Sequence, residues 1–295
     1  MRTFCLCILL VALLAVSGHA RGVPADFDGD GSTDLSVFRP STGEWFVRGS
    51  ATGYSIFRFG EPGDILVPGD YDGDRRTDFA VFRPSNSTWY IHTHDAYFVR
   101  EFGATRDIPA PADYNGDGQT EFGVFRPSTG EWFIAGRNGS NSFYQVLQFG
   151  RKGDIPVRGD YDGDGRDDIA VWRPSNGVWY ISGSTAGFYG IQLGQAGDKL
   201  VQADYDRDGK FDAAVLRGGD TLFVVGTSRG LTISQFSGGG VTIVPGDYEG
   251  DGITDEAVVR LSSGRWYLHG STGVYMLTDF GLAGDKPIPA AYLPQ

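Results

Sequence analysis

The stretch DYDGDGRDD, from Asp160 to Asp168, decides the fold because variants of it recur six times along the 295-residue chain. The first aspartates of successive copies are separated by 44, 43, 47, 44 and 43 residues. A period of about 40 to 50 residues is typical of a propeller, a solenoid or another array of one supersecondary unit. The copies begin at Asp26, Asp70, Asp113, Asp160, Asp204 and Asp247.

The fourth repeat shows how each unit is organised. A short apolar strand at 155–159 precedes the acidic stretch, and a second strand at 169–173 follows it and stops at Pro174. Two further apolar or aromatic runs, at 178–181 and 189–193, complete the unit. Four short strands per repeat are typical of a propeller blade. We therefore predict an all-β, six-bladed β-propeller with four-stranded antiparallel blades, and a seven-bladed ring is the alternative.

The two ends of the repeat array predict how the ring closes. The first repeat has a stunted strand, 23–25, before its acidic stretch, whereas residues 284–292 align with residues 63–71 at the start of the second repeat. The C-terminal segment has Ala291 where an acidic stretch would begin. We expect this segment to complete the first blade, because closure removes open sheet edges that would invite aggregation.

An aromatic residue is expected at the start of the third strand of every repeat. A tryptophan that repeats in register usually packs between blades, because large aromatic side chains bury most of their surface. We therefore predict that this column is core rather than a ligand platform. The column consists of Trp45, Trp89, Trp132, Trp179, Phe223 and Trp266.

The acidic stretches, called loops one to six here, have the spacing of calcium ligands between the first and second strands of each blade. Side chains at positions 1, 3, 5 and 9 and the carbonyl of position 7 would supply the hard oxygen ligands that Ca²⁺ prefers, and glycine at position 6 permits a positive φ. An EF-hand is excluded, because its position-12 glutamate is replaced by valine in every copy. We predict up to six calcium ions. The predicted ligand positions are Asp26, Asp28, Asp30, Ser32 and Asp34; Asp70, Asp72, Asp74, Arg76 and Asp78; Asp113, Asn115, Asp117, Gln119 and Glu121; Asp160, Asp162, Asp164, Arg166 and Asp168; Asp204, Asp206, Asp208, Lys210 and Asp212; and Asp247, Glu249, Asp251, Ile253 and Asp255.

The six loops are not equal. Loops one and four are the best formed, whereas loop two has Arg75 at the glycine position. Loop three has Asn115 at position 3 and Glu121 at position 9, and loop six has Glu249 at position 3. We predict weaker calcium binding in loops two, three and six, because these changes remove a charge, lengthen a ligand or strain the turn.

These repeats resemble a known family. Phe149-Gly150, followed by Gly153-Asp154-Ile155-Pro156 and then the acidic loop, is similar to the FG-GAP repeat, also called the VCBS repeat. The propeller of the integrin α-subunit is the best-known relative. The resemblance covers the whole chain after the first 20 residues and implies a propeller with calcium in the loop between the first two strands of a blade. Integrin function is not implied, because fold alone does not give function.

The N-terminus and the charge predict an exported protein. Residues 1–20 are typical of a secretory signal, with Arg2 before an apolar run and a small-residue cleavage site after it. We expect residues 21–295 to form one propeller domain at an extracellular, cell-surface or periplasmic location, without a membrane span. The chain carries a formal charge of −12, which disfavours nucleic acid as a partner. Both cysteines lie in the signal, so residues 21–295 cannot form a disulfide, and bound metal is a candidate stabiliser.

Several other residues have a functional and a structural interpretation. Arg158-Gly159-Asp160 spells the adhesion tripeptide, but Asp160 is already a predicted ligand. His92 and His94 lack a third ligand nearby, so we expect a solvated turn. An arginine ends each second strand, and we expect it to pair with loop or turn carboxylates rather than to form an anion-binding ring. These arginines are Arg39, Arg83, Arg126, Arg173, Arg217 and Arg260.

The function predicted from these features is a monomeric adhesion or binding module for a glycan or an extracellular protein. Its ligand would lie in the central channel or on the face opposite the calcium loops, where we expect the variable segments 93–98, 136–143, 182–189 and 227–231. A non-enzymatic role is favoured, because the acids are used as metal ligands and no nucleophile motif is found. A lyase-like enzyme acting on polysaccharides and a purely structural propeller are the alternatives.

Overall fold

The computed structural model describes residues 23–138 and 141–293. These residues contain twenty-four short strands and one 3₁₀ helix, Pro289–Tyr292. The predicted signal, residues 1–20, lies outside this range. No helix in the described part of the chain is long and apolar enough to cross a membrane. The strands are β1 (Leu35–Arg39), β2 (Glu44–Gly49), β3 (Gly53–Arg58), β4 (Ile65–Leu66), β5 (Phe79–Arg83), β6 (Thr88–His92), β7 (Tyr97–Glu101), β8 (Ile108–Pro109), β9 (Phe122–Arg126), β10 (Glu131–Asn138), β11 (Asn141–Gln148), β12 (Ile155–Pro156), β13 (Ile169–Arg173), β14 (Val178–Gly183), β15 (Gly187–Gln192), β16 (Lys199–Leu200), β17 (Ala213–Arg217), β18 (Thr221–Gly226), β19 (Gly230–Gln235), β20 (Thr242–Ile243), β21 (Glu256–Arg260), β22 (Arg265–His269), β23 (Tyr275–Asp279) and β24 (Lys286–Pro287).

The strands form six four-stranded antiparallel sheets, each a blade of a β-propeller. Five blades use four strands that follow one another in sequence, whereas the first blade has the order β24-β1-β2-β3. Strand β24 pairs with β1 through Val37 opposite Pro287 and Phe38 opposite Lys286. The predicted six-bladed ring and its closure by the C-terminal segment are confirmed, and the seven-bladed alternative is wrong.

The innermost strand of each blade is shorter than predicted. In the fourth blade, β12 has two residues rather than the five of 155–159, and innermost strands without a proline, such as β16, are equally short. The pairing of β12 with β13 continues through single hydrogen bonds, from Val157 N to Ala170 O at 2.9 Å and from Asp168 N to Gly159 O at 2.8 Å. These hydrogen bonds hold together the two chain segments that enter and leave the acidic loop.

The tryptophan column packs in the core between blades, as predicted. Five indoles are fully buried, and each donates its Nε1–H to a carbonyl just past the outer strand of its own blade; for Trp179 this is Leu193 O at 3.0 Å. Each indole thus satisfies its single donor while it packs. The five residues are Trp45, Trp89, Trp132, Trp179 and Trp266.

The assignment of Phe223 to this column is wrong by one residue. Leu222 occupies the buried position, with 1% exposure, and Phe223 lies beneath the Arg217 guanidinium at 4.5 Å from its ring centre. That is the place of Tyr180 in the fourth blade, 4.1 Å from Arg173. The register shifts because the turn after β17 is one residue shorter than the turn after β13.

The arginine that ends each second strand pairs with a turn aspartate in five blades, which confirms the structural interpretation there. Arg173 contacts Asp154 through both Nε and Nη2 at 2.8 Å, and the carboxylate is almost fully buried. In the first blade, Arg39 makes the same contact with Asp285, 246 residues away, and so fastens the closing strand. The pairs are Arg39–Asp285, Arg83–Asp64, Arg126–Asp107, Arg173–Asp154 and Arg217–Asp198.

The sixth blade departs from this rule. Val241 precedes β20 at the position where the other blades have the aspartate, and Arg260 makes no ion pair within the described residues. The expectation that all six arginines pair with carboxylates is therefore wrong for Arg260.

The ion pair at the ring closure gives a first prediction. Asp285→Asn should lower the free energy of unfolding by about 3 kcal/mol, because it leaves the Arg39 guanidinium without its buried counter-charge. For a chain of this size the melting temperature should fall by about 6 °C, measured by circular dichroism. Asp279→Asn is the matched control, since the Arg265–Asp279 pair is exposed, and it should leave the melt unchanged. Equal effects of the two substitutions would contradict the closing role.

Candidate metal centres

The first aspartate of each loop shapes the loop by accepting hydrogen bonds from its amides. In loop four, Asp160 Oδ1 accepts from Gly163 N at 2.6 Å and Oδ2 from Gly165 N at 2.9 Å. An aspartate that accepts amides two to five residues ahead holds the chain in a tight turn. The same two contacts are made by Asp26, Asp70, Asp113, Asp204 and Asp247.

The backbone has a positive φ at positions 4 and 6 of every loop. The predicted left-handed turn at position 6 is confirmed, for example by Gly165 at +87°, and position 4, which was not predicted, behaves alike. Two arginines adopt this conformation without being glycine: Arg75 at position 6 of loop two and Arg207 at position 4 of loop five, both with φ +70°. A side-chain-bearing residue in this region costs about 1–2 kcal/mol.

Positions 1, 3 and 9 bring three carboxylates together in four loops. One oxygen from each lies within 4.8 Å of the others. Calcium–oxygen distances of about 2.3–2.6 Å place ligands on opposite sides of the ion about 5 Å apart, so the spacing fits a calcium ion among three all-oxygen donors. The triads are Asp26, Asp28 and Asp34; Asp70, Asp72 and Asp78; Asp160, Asp162 and Asp168; and Asp204, Asp206 and Asp212.

The position-3 aspartate in three triads has one oxygen that no protein group satisfies. Asp162 Oδ2 accepts from Thr185 N and Ala186 N at 2.8 Å, whereas its Oδ1 is buried without a hydrogen bond. In Asp28 and Asp206, likewise, Oδ2 accepts two backbone amides and Oδ1 is buried without a hydrogen bond. A buried acceptor without a partner is costly and calls for an explanation. A cation in the triad would supply the missing partner.

The hairpin between the third and fourth strands is part of the site, and sequence reasoning missed it. In blade four, the Asp162 carboxylate lies so close to Gly183 that a Cβ there would be 2.7 Å from Oδ2. A glycine followed by serine or threonine leads into this hairpin in four repeats, and this recurrence was the available signal. The pairs are Gly49-Ser50, Gly183-Ser184, Gly226-Thr227 and Gly270-Ser271.

Positions 5 and 9 tie the loop to the same hairpin. Asp164, at position 5, accepts from Arg166 N at 3.0 Å and from the Ser184 hydroxyl at 2.5 Å. Asp168, at position 9, accepts from Ser184 N and Tyr161 N, both at 2.8 Å. Position 5 therefore lies outside the triads, and the ligand roles of positions 5 and 7 stay predictions.

Loops three and six, within the described residues, hold no group of three clustered carboxylates. In loop three, Asn115 Nδ2 donates to Glu121 Oε1 at 2.7 Å, while Glu121 Oε2 accepts from Tyr114 N at 2.9 Å. The side-chain amide of Asn115 thus contacts the Glu121 carboxylate at the position that a cation would occupy in the other loops. In loop six, the longer Glu249 turns both oxygens onto the Thr272 hydroxyl, at 2.8 and 2.9 Å. Both arrangements agree with the predicted weakness of these loops, which stays a prediction.

Loop two keeps its triad but lacks the hairpin contact. Asp72 is exposed, and its Oδ1 accepts from Asp74 N at 3.2 Å. The hairpin of this blade runs through Thr93 to Ala96, where Thr93 bonds within the hairpin instead. The predicted weaker binding by this loop, which stays a prediction, therefore has a second reason besides the strain at Arg75.

The position-9 carboxyl groups of the four triads have raised pKa values. Burial raises the pKa of the position-9 carboxyl to about 6 in Asp34 and Asp168, to about 7 in Asp212 and to about 8 in Asp78, and the neighbouring carboxylates act in the same direction. Burial also raises the pKa of Glu121, to about 8. A bound divalent cation would favour the ionised form and reverse this effect.

The loops also join neighbouring blades. At five of the six junctions, the backbone carbonyl of the first aspartate in one loop accepts from the amide of position 8 in the next loop, as from Phe211 N to Asp160 O at 2.7 Å. The ring closes in the same way, from Thr33 N to Asp247 O. The conformation of each loop therefore affects the contact between two blades as well as its own site.

The face assigned to the variable hairpins is corrected. The hairpins of blades one, four and five contact the acidic loops directly, through Ala51 N, Thr185 N and Ser228 N. They lie on the same face as the loops, because in an antiparallel meander the first and third connections are at the same end. The turns with the arginine–aspartate pairs occupy the opposite face. Segment 136–143 includes residues 139 and 140, outside the described residues.

The adhesion tripeptide and the histidines have structural surroundings. The Arg158 guanidinium lies in the central channel, where Nε donates to Tyr292 O at 2.8 Å, and Asp160 belongs to a triad. His92 packs 4.6 Å from the ring centre of Phe57, and His94 is exposed. The exposure of His94 fits the expected solvated turn, whereas that expectation is wrong for His92, which ends strand β6 and packs against an aromatic ring.

Comparison with known proteins identifies the fold rather than a family. No protein-family model matches the chain, and no curated protein sequence matches it either. Among solved structures, BBS1N in complex with ARL6DN has a TM-score of 0.52 at 13% identity, over 92% of this chain and 90% of that chain. The resemblance to FG-GAP repeats therefore rests on the residues quoted above.

Two lyases have similar structures. Virginiamycin B lyase from Staphylococcus aureus has a TM-score of 0.52 at 8% identity, over 89% of this chain and 88% of that chain. A streptogramin B lyase structure has a TM-score of 0.54 at 7% identity, over 88% and 87%. Enzymes and a partner-binding domain thus share this fold, and at such identities the likeness concerns the fold alone.

The strained arginine in loop two gives the second prediction. Arg75→Gly should stabilise the protein by about 1 kcal/mol, because glycine adopts a positive φ without the steric cost. Thermal melts in excess chelator would separate this backbone effect from cation binding.

Gly165→Ala, at the same position of loop four, is the matched control and should destabilise the protein. A Cβ at Gly165 meets no atom within 4 Å, so its effect is confined to the backbone. A lower stability of Arg75→Gly would show that the turn is not strained.

Proposed function

We propose that this protein is an exported, calcium-binding propeller that serves as a binding module for a glycan or an extracellular protein. The buried, unpaired oxygens of Asp28, Asp162 and Asp206 carry the calcium part of the proposal. Each lies in a cluster of three carboxylates whose mutual repulsion needs a counter-charge. The all-oxygen donor set favours calcium over zinc or copper.

We propose further that the repeats are of the FG-GAP type. The residues that carry the resemblance have defined structural roles: Phe149 O accepts the Trp132 indole N–H at 2.8 Å, and Gly150 adopts a φ of +120°. Asp154 of the same motif forms the buried ion pair with Arg173. These residues stabilise the turn before the first strand of a blade. We therefore expect the motif to recur in every blade that needs this turn.

The binding role is supported by an exposed column on the outer strands. Five aromatic residues and one leucine occupy the same register position around the ring, with exposures between 55% and 75%. Exposed apolar residues that repeat in this way are typical of interaction surfaces. BBS1N, which shares the fold, was solved in complex with ARL6DN. The column consists of Tyr54, Tyr97, Tyr144, Phe188, Leu231 and Tyr275.

Calcium removal tests the metal proposal. Excess chelator should lower the melting temperature strongly, because each site at one hundred times its dissociation constant contributes about 2.7 kcal/mol. Titration calorimetry should find about four ions per chain, one per triad. The affinity of loops one and four should fall below about pH 6, where Asp34 and Asp168, with pKa values of about 6, hold their protons. Loops five and two should lose affinity at higher pH, because Asp212 and Asp78 have pKa values of about 7 and 8.

Two variants give the titration matched controls. Asp162→Asn removes the charge of the unpaired oxygen and should reduce the count of ions from four to three. Glu249→Asp restores the usual position-3 residue in loop six and should raise the count to five. A melt that chelator does not change, or an ion count that neither variant alters, would refute the calcium sites.

A glycan and protein-ligand array tests the binding role. Residues 21–295, loaded with calcium, should bind a defined sugar or protein class, and chelator should weaken this binding because the loops join the blades. Reducing-end release assays on any bound glycan separate binding from catalysis. Turnover of the ligand would overturn the non-enzymatic assignment, and silence of folded protein on both arrays would favour a structural role.

A further inference from the structure

Arg260 is the one arginine of its column, within the described residues, that lacks a carboxylate. In the other five blades the turn aspartate does two things: it pairs with the arginine, and it accepts the N–H three residues before it, as Asp64 Oδ2 does from Glu61 N at 2.8 Å. Val241 stands in the sixth blade at that position. The valine side chain has no hydrogen-bond acceptor, so both donors lose their acceptor, and the turn takes a different backbone path with positive φ at Gly238 and Gly239.

The surroundings of Arg260 show this loss. Its Nε is buried without a hydrogen-bond partner, and Nη2 donates to the carbonyl of Ser237 at 2.9 Å. Its guanidinium carbon lies 5.5 Å from the ring centre of Tyr267, compared with 4.1 Å for Arg173 over Tyr180. The guanidinium has moved off the aromatic ring toward the turn, where Gly238 leaves room: a Cβ at Gly238 would lie 2.8 Å from Nη2.

A groove opens beside this guanidinium between the fifth and sixth blades. It has a volume of about 560 Å³ and runs from Arg260 to Glu256 at the other end of β21. Four residues of extended strand place these two charges about 13 Å apart. A cavity of this size is typical of sites for small ligands. The five paired arginines have no comparable opening within the three cavities described.

Aromatic rings form the wall of the groove. Tyr275 is 75% exposed and stacks on His269 with ring centres 4.2 Å apart. Tyr267 and Leu277 lie next to it across the strand pair β22–β23. Flat, exposed ring faces of this kind pack well against the apolar face of a sugar ring, and Glu256 can accept hydrogen bonds from sugar hydroxyls.

We propose that the groove binds a short acidic saccharide whose single carboxylate pairs with Arg260. The ligand would supply the carboxylate that the turn aspartate supplies in the other five blades, and the neutral part of the saccharide would lie along Tyr275 toward Glu256. Carboxylate geometry matches the arginine fork. A longer polyanion fits less well, because Glu256 would repel a second carboxylate at the far end. This assignment names a ligand class and a site for the proposed binding module, and it rests on that proposed function.

The test compares two disaccharides that differ in the carboxylate alone, glucuronosyl-glucose and glucosyl-glucose, by calorimetry on the calcium-loaded protein. The acidic probe should bind about ten- to a hundredfold more tightly, as expected for one charge-assisted contact. Arg260→Gln should abolish this preference. Val241→Asp should also abolish it, because the new aspartate would occupy Arg260, and it should raise the melting temperature by restoring the internal ion pair.

Arg217→Gln, in the fifth blade, is the control for general damage. It should lower the melting temperature and leave the preference for the acidic probe unchanged. Equal binding of the two disaccharides, or a preference that survives Val241→Asp, would overturn the proposal. Tight, Arg260-dependent binding of a capped acidic peptide in place of the disaccharide would overturn the saccharide assignment. The calcium titration is independent of this groove, so failure here and failure of the metal proposal give different results.

Discussion

The first aspartate of each acidic loop is the residue on which the rest of the molecule depends. Its carboxylate accepts amides of its own loop, and in five of the six loops its carbonyl accepts an amide of the next loop. One residue type therefore sets the turn, presents an oxygen to the triad and joins two blades. Because these functions share one residue, the geometry of the site cannot change without moving a blade contact, and a cation in the loop would strengthen the ring as a whole.

The sequence predicted the architecture well because the repeat is long, regular and copied six times. The period gave the blade count, and the alignment of residues 284–292 with residues 63–71 predicted the closure. The loops were recognisable from spacing, since their contacts are local in sequence. The hairpin that completes the site was missed, because Asp162 and Gly183 are 21 residues apart and only the pairing of β13 with β14 brings them together. Phe223 was misplaced because one missing turn residue shifted the register.

Differences between repeats are more informative than the pattern they share. Five blades act as internal references for the sixth, so the replacement of the turn aspartate by Val241 stands out without any other protein for comparison. Asn115 and Glu249 can be interpreted in the same way. The side-chain amide of Asn115 lies where a cation would bind, and the longer side chain of Glu249 places its carboxylate against the hairpin. In each case a change of one functional group alters the chemistry while the blade keeps its shape.

The pairing of β24 with β1 affects the order in which the molecule can form. Arg39 and Asp285 are 246 residues apart, and contacts of such high sequence separation form late because they carry a large loop-closure entropy. Blades two to six can each assemble from one continuous stretch of chain, whereas the first blade in sequence is completed last. The inner edge of the first blade stays unpaired until β24 arrives. During folding, the first repeat of the array, rather than the last, is therefore the one most exposed to wrong strand pairing.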